Sequence, residues 1–509
     1  MTRSTHDLRR AGGRAALALA ATWTAALTGC GQLPVGPDYR LPTQALAAQP
    51  ATSAPFAQAD AALYSAQPLP AAWWKLYDDA RLDGLVQQAL AHNTDLRQAV
   101  ANLARERALE AEVAGAQRPS VGVNGGVVMG HPSGLDYLSP GYTPKPEWET
   151  SAGLAVSLPL DWFGQLQRQA EAAQASREAA EAAADLARVQ VAASTTRAYA
   201  EVCALGLQLR SARHSVQLQD EAVTLTRRLQ SAGRTGVTDV ARAQGQLEHL
   251  RAAIPPLQAR RQGALYRLAT LTGALPQALP ASVADCETPP QLSGLIPVGD
   301  GAALLRRRPD VRQAERQLAA ATARIGVATA DLYPHIRLGL SVQSASPATD
   351  FLGSDSVGWS LGPLISWTLP NTGAVQARIA QAEAGTAGAL AHFDGTVLTA
   401  LRETETALNA YARELDRRAA LRAARAQEAT VAEQARRLYQ SGRTGYLPAL
   451  DAQRALAAAE AELAASEAAL ADDQALLFLA LGGGWQAEAA TAQPGPASTA
   501  GLTAPRVPG

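Results

Sequence analysis

One pattern occurs twice in this chain, 209 residues apart, and no gap is needed to align the copies. Ser157–Gly164 reads SLPLDWFG, and Ser366–Gly373 reads SWTLPNTG. Gly233-Arg234-Thr235-Gly236 returns as Gly442-Arg443-Thr444-Gly445, Ala243-Gln244 as Ala452-Gln453, and Gly273 as Gly482. Solenoid repeats have periods of roughly 20–50 residues, so this is a different kind of duplication. A half-structure is built twice, and function has to arise from two similar halves set side by side.

Charged residues make up 18% and aromatic residues 5% of the 509 positions, and alanine dominates. Alanine is the best helix former, so long and closely packed helices are expected rather than thick globular cores. The formal net charge of −1 offers no basic field for nucleic acid.

The start of the chain has the layout of a targeting segment. Arg3, Arg9, Arg10 and Arg14 form a positive region, Ala15–Leu27 an apolar one, and Leu27-Thr28-Gly29-Cys30 follows. A cysteine placed there is similar to a bacterial lipobox. Residues 1–29 then form a lipoprotein signal peptide, and Cys30 carries a covalent lipid as the first mature residue. Gly31 at the next position favours the outer membrane over inner-membrane retention. Without residues 1–29 the formal charge falls to −4, and Cys203 and Cys286 are the only other cysteines. Two cysteines in an exported chain can pair. With Cys203 in a helical run and Cys286 in a loop, pairing is left open and none is expected. No later stretch reaches ~18 consecutive apolar residues, the length of a transmembrane helix. If the chain crosses a membrane it has to do so as a barrel.

Periodicity divides the rest. Residues 30–72 form an extended arm rich in Pro, Ala and Gln. Residues 73–275 are the first repeat, 276–299 a Pro-rich connection, 300–485 the second repeat, and 486–509 a disordered tail. In the first repeat Leu82, Leu85, Val86, Ala89 and Leu90 follow helical spacing, and Asn93-Thr94-Asp95 interrupts and recaps the helix. Strands are expected over 119–130 and 150–160, a helix from Gly164 to about Ala232, and a return helix to Gly273. The second repeat gives a helix over 302–332, strands over 335–343 and 358–369, a helix over 373–441, and a return helix ending near Leu481.

Four strands of about ten residues, each apolar on one face, have the length and alternation of tilted membrane strands. Trp359 and Trp367 fall on the apolar face, where an aromatic girdle would lie. A half-buried sheet in a soluble domain shows the same alternation; the lipobox and the lack of a transmembrane helix favour the barrel. Four strands cannot enclose a lumen, and an open edge cannot sit in lipid. Three chains would supply twelve strands. The longest helices, ~70 residues and on the order of 100 Å, are far above the usual globular length. The fold class expected is mainly α with membrane β: long antiparallel helical hairpins forming an α-barrel tunnel, joined to a trimeric twelve-stranded β-barrel.

Several blocks resemble the TolC-type outer-membrane efflux proteins, and within them the lipid-anchored OprM/NodT-like branch. They are Cys30 with Val35-Gly36-Pro37-Asp38-Tyr39; Trp74, Asp79, Leu82 and Asn93; Arg308-Pro309-Asp310-Val311 with Ala314-Glu315 and Ile325-Gly326; and Tyr439, Gly442, Tyr446-Leu447 and Leu450-Asp451-Ala452-Gln453. The resemblance covers nearly all of the mature chain. It implies a homotrimer working with a periplasmic adaptor and an inner-membrane pump of the RND type, with no chemistry in this subunit. It also implies a constriction at the periplasmic end, carried here by Leu447 and Asp451. Tyr439, Arg443, Tyr446, Arg234 and Asp239 are further candidates for the aperture or an adaptor contact. Pro448 stands where some relatives have a second aspartate, and Thr444 where others have arginine, so the lock of the closed state is expected to differ.

An enzyme is disfavoured by scattered His and Cys, the lack of HExxH, CxxC or a nucleophile elbow, and a Gly482-Gly483-Gly484 run without the Lys-Ser/Thr of a phosphate loop. No cofactor is expected apart from the lipid on Cys30. The alternatives are the exit duct of a type I protein or peptide secretion system, and a periplasmic adaptor lipoprotein. Adaptors carry a single helical hairpin rather than a 209-residue duplication with strands. Met129 is the only methionine of the mature chain, which disfavours a soft-metal route.

Overall fold

The computed structural model describes residues 34–131, 141, 143, 145–292, 294–347, 349–369 and 372–483. The leader over 1–29, Cys30 and the tail over 486–509 lie outside the described residues. In chain order the strands are β1 (Tyr64–Ser65), β2 (Ser120–Gly130), β3 (Glu147–Leu160), β4 (Ile296–Pro297), β5 (His335–Pro347) and β6 (Val357–Ser366). The helices are α1 (Ala80–His92), α2 (Thr94–Gly115), α3 (Gln165–Ser231), α4 (Val237–Ala252), α5 (Ile254–Leu271), α6 (Ala281–Ala284), α7 (Gly301–Arg307), α8 (Pro309–Ala330), α9 (Thr372–Gln440) and α10 (Tyr446–Ala480). Two compact units result: the described parts of 1–48, 101–181 and 313–396 form one, and those of 49–100, 182–312 and 397–509 the other.

The first unit holds an antiparallel sheet in the order β2-β3-β5-β6. The two hairpins are joined by the β3–β5 pair, where Leu154 faces Val342, Val156 faces Leu340 and Leu158 faces Leu338. In the same register Val121 faces Val156, and Leu340 faces Leu361. One face is therefore apolar across all four strands. The opposite face carries Asn124, Gly153, Ser157, Arg337, Ser341, Gln343 and Ser360, since side chains alternate along a strand. The apolar face is not covered by the chain: Val123 and Trp359 are 79% and 74% exposed. β3 and β5 run longer than the expected 150–160 and 335–343, reaching back to Glu147 and on to Pro347.

The N-terminal arm is not a free linker. In the first unit the Val35 amide donates to Phe163 O (3.1 Å). The nearly buried Arg168 guanidinium donates to Val35 O (3.1 Å), Gly36 O (3.2 Å) and Asp38 Oδ1 (2.7 Å). In the second unit β1 pairs in parallel with β4 of the connection, and Phe56, Tyr64 and Leu69 are buried. Low periodicity here reflected short irregular contacts, not a lack of packing.

Trp73 anchors the second unit. It is wholly buried, stacks on Phe478 at 4.4 Å and donates its indole N–H to Gly483 O (3.3 Å). Asn93 recaps as expected: its Oδ1 accepts from the Asp95 and Leu96 amides (2.9 and 3.1 Å), and its Nδ2 donates to Leu271 O (3.0 Å). The Arg308-Pro309-Asp310 block also has a physical role. Arg307 Nε donates to Leu481 O (2.7 Å) and Arg308 Nη1 to Ala480 O (2.8 Å), placing two cations on the negative end of α10. Arg308 is held in turn by Asp310 and Glu403 at 2.6 and 2.9 Å.

Three expectations need correction. The helix placed over 302–332 breaks at Arg308, whose extended conformation (ψ 120°) is the one a following proline imposes. The return helix of the first repeat is two helices, α4 and α5, split ahead of Pro255-Pro256, whereas α10 is unbroken over 35 residues. Cys203 and Cys286, expected to stay unpaired, form a disulfide. The loop reaches the helix because Gly206 leaves room for it: a Cβ there would lie 2.0 Å from Cys286 O. Arg261 on α5 then donates to the carbonyls of Ala284 and Cys286.

Candidate functional site

The two Gly-Arg-Thr-Gly turns are the same structure made twice, both within the second unit. Gly233 and Gly442 each sit at φ 73°, the left-handed conformation that glycine adopts without penalty. The Arg234 amide donates to Leu229 O (2.8 Å) and the Arg443 amide to Leu438 O (2.9 Å), the bond that closes a Schellman motif. The α3–α4 and α9–α10 hairpins therefore end in equivalent tips.

Beside these tips lies a small core of Val223, Ala243, Leu247, Tyr439, Tyr446, Ala449 and Leu450. Two tyrosines brace it. Their rings tilt against each other at 5.3 Å. Tyr439 donates to Thr226 Oγ1 (3.2 Å), and Tyr446 accepts from Gln219 Nε2 (3.1 Å), which also donates to Ala243 O (2.9 Å). Arg454 Nε donates to Gln246 Oε1 (2.8 Å). These contacts tie the α3–α4 hairpin to the α9–α10 hairpin. Tyr439 and Tyr446 are 5% and 2% exposed, so they brace the interior and do not form contact surface. Gln219 and Thr226 were missed from sequence. They lie seven residues apart on one stripe of α3, but a Gln and a Thr in an alanine-rich helix carry no signal of their partners.

The remaining candidates are at the surface. Leu447 is 49% exposed in the first turn of α10. Asp451 is exposed one turn on, with Arg454 Nη1 3.9 Å from its Oδ1. Arg443 is exposed. The Arg234 guanidinium lies over Gly442, so the first turn reaches across the second. Asp239 accepts from Thr235 Oγ1 (2.7 Å) and Arg242 (3.3 Å).

The copies differ here. Thr235 and Thr444 are equivalent by the 209-residue shift, as are Asp239 and Pro448, and Arg242 and Asp451. Proline offers no acceptor side chain, and the Thr444 hydroxyl is buried without a partner. Thr444→Val is therefore expected to be neutral or stabilising, whereas Thr235→Val, which breaks a bond to a carboxylate, costs about 1–2 kcal/mol. Denaturant midpoints of the two variants test this, and equal effects would reject the asymmetry.

Higher on α10, burial and the neighbouring carboxylates Glu414 and Asp472 push the Asp473 carboxyl up to about 6 from 3.8. The folded state then holds this proton more tightly than the unfolded chain. Stability rises as pH falls from 7 through 6 and levels off near 4. Partial exposure to solvent limits the gain to about 1 kcal/mol. Asp473→Asn is expected to flatten that rise in pH-dependent melting, and an unchanged profile would assign it elsewhere.

Among the described residues no group of three or more His, Cys, Asp or Glu is placed to hold a metal ion, and no helix is long and apolar enough to cross a membrane. The described residues thus combine long helical hairpins ending in braced tips with a sheet that is apolar on one exposed face. The chain belongs to the outer membrane efflux protein family, which it matches over residues 85–274 and 302–483, one span in each repeat. It is similar to the outer-membrane channel OprN, with a TM-score of 0.82 and 35% identity over 89% of this chain and 99% of that one. It is 30% identical to nodulation protein T of Rhizobium leguminosarum bv. viciae, covering 91% of this chain and 93% of that protein. It is 31% identical to the pyoverdine export outer membrane protein OpmQ of Pseudomonas aeruginosa, covering 82% and 88%. The periplasmic-adaptor alternative falls with the family assignment.

Proposed function

We propose that three copies of this chain form the exit duct of a tripartite efflux system, receiving small toxic compounds from an RND-type pump and a periplasmic adaptor. The observation that carries this reading is the sheet. Its apolar face is exposed, its strands are 10–14 residues long, and β2 and β6 are its two edges. In lipid those edges would leave backbone groups unsatisfied. A second and third copy would remove them by closing a twelve-stranded barrel wide enough for a lumen.

The tips supply the gate. Three copies of Leu447 and Asp451 would make an apolar ring and a carboxylate ring across the tunnel, the second favouring cations. The Tyr439–Thr226 and Gln219–Tyr446 bonds would hold it shut. The exposed Arg443, and Arg234 beside it, suit an adaptor contact. A lipid on Cys30 fits the docked arm. The scarcity of methionine favours organic cargo over soft metals.

Deleting the chain is expected to sensitise cells to small toxic compounds only when the cognate pump is expressed, and cross-linking from Arg443 is expected to capture the adaptor. Unchanged susceptibility across a broad compound panel with the pump present would reject this reading.

A further inference from the structure

We infer that a groove in the second unit, walled by α3, α5 and α10, is a weak binding site for small organic anions, carboxylates with an apolar body, along the efflux path; this deepens the duct reading above and rests on it. The groove has a volume of about 550 Å3, within the roughly 300–1,000 Å3 of small-molecule sites. Helical spacing gives α3 two opposite faces here. Tyr199 and Cys203 enter the core with Trp73 and Leu82. Arg197, Glu201, Ala204 and Gln208 lie on the other face and line the groove. The arm and the connection pack on the core side, through Tyr64 and Cys286. The groove side of α3 is therefore the one left to face a tunnel.

The charges lining the groove are unequal in number and unequally committed. The guanidiniums of Arg197, Arg260 and Arg267 meet only the carboxylates of Glu201 and Asp472. Arg197 and Asp472 hold each other through two bonds, at 2.6 and 3.0 Å. Arg267 reaches Glu201 at 3.3 Å and is 58% exposed. Arg260 is exposed, and among the described residues no carboxylate pairs with it. The heptad spacing of Arg260 and Arg267 puts them on one face of α5, about 10 Å apart along its axis, with the fully buried Ala264 between them. Together they leave donors for an incoming carboxylate, which a guanidinium can take through two parallel bonds. Leu271, Ala468 and Ala469 offer apolar surface to the rest of the molecule. The second repeat has Thr406, Ala469 and Leu476 where the first has Arg197, Arg260 and Arg267. Its helices form without those cations, so the packing of a repeat does not require them. Binding here has to be weak, because a duct conducts only cargo that leaves as readily as it enters. The carboxylate ring proposed at the tip disfavours anions at entry, and the groove offsets that bias farther along α3 for cargo delivered by the pump.

The test uses the full-length protein in planar bilayers, with naphthoate as the anion and naphthylmethylammonium as a cation of similar size. Naphthoate is expected to reduce the single-channel current in the millimolar range, each variant being compared with its own unblocked current. Arg260→Ala/Arg267→Ala should raise the half-blocking concentration of naphthoate severalfold and leave block by the cation no weaker. Arg260→Lys/Arg267→Lys should recover part of the lost affinity, since it keeps the charge but not the fork. Arg260→Gln, which has no ion pair to lose, should give a smaller rise in the same direction and carries the test if the double variant fails to assemble. Absence of block in the parent, an unchanged half-blocking concentration in the variants, or an equal shift for the cation would overturn the inference. A chain that conducts and gives any of those results loses the groove and keeps the duct. A chain that forms no channel loses the duct, and the groove with it.

Discussion

Replacing Asp451 with alanine is expected to raise single-channel conductance in planar bilayers and to lower the preference for cations over anions. Three symmetric copies would remove three carboxylates from one ring. In the proposed trimer, truncation would widen the ring and the lost charge would weaken cation attraction. Asp451 is exposed, and among the described residues its ion pair is with Arg454, at 3.9 Å. An exposed pair of this kind contributes at most about 1 kcal/mol, so the fold should tolerate the change and the effect should be confined to conduction. Asp451→Asn separates the two causes, because it removes the charge and keeps the size. Conductance and selectivity both unchanged in Asp451→Ala would take Asp451 out of the gate.

Removing the disulfide should produce the largest loss of stability. Cys203 and Cys286 are 83 residues apart. In the chain-entropy account, a cross-link closing a loop of that size stabilises by roughly 4.5 kcal/mol. The bond fastens the connection between the repeats to α3 and gives Arg261 its two carbonyls. Cys203→Ala/Cys286→Ala is therefore expected to unfold at a much lower denaturant concentration. The native protein should resist thiol reductants until denaturant is added, since the two residues are 0% and 3% exposed. An unfolding midpoint equal to that of the parent would show that packing alone holds the connection.

Some of this architecture was legible because its cause is local. Alternation along Ile336, Leu338, Leu340 and Val342 fixes which face of β5 is apolar, whatever strand pairs with it. Gly233 and Gly442 mark helix ends because the left-handed conformation excludes other residues at little distance along the chain. Asn93 reads as a cap for the same reason. What was missed depends on partners far away in sequence. Gln219 acquires a role only when Tyr446 arrives, 227 residues later. Arg168 looks like a surface cation of a long helix until Asp38 closes on it from the arm. Pro255-Pro256 was visible, but strong helical periodicity on either side concealed the break.

By itself the sequence determined that there are two equivalent halves, where the helices stop at the two Gly-Arg-Thr-Gly turns, and which face of each strand is apolar. Those properties come from backbone conformation and side-chain periodicity within a few residues. Only the tertiary structure decided that β3 pairs with β5, that the arm is docked, that Cys203 meets Cys286, and that two tyrosines brace the tips. Each of these requires segments distant in the chain to meet at hydrogen-bonding or bonding distance, and no local preference encodes such a meeting. The 209-residue duplication makes the halves alike. A bonded Thr235 against an unpartnered Thr444, and a helix broken ahead of Pro255-Pro256 against one that runs through Ala464-Ala465, make them differ.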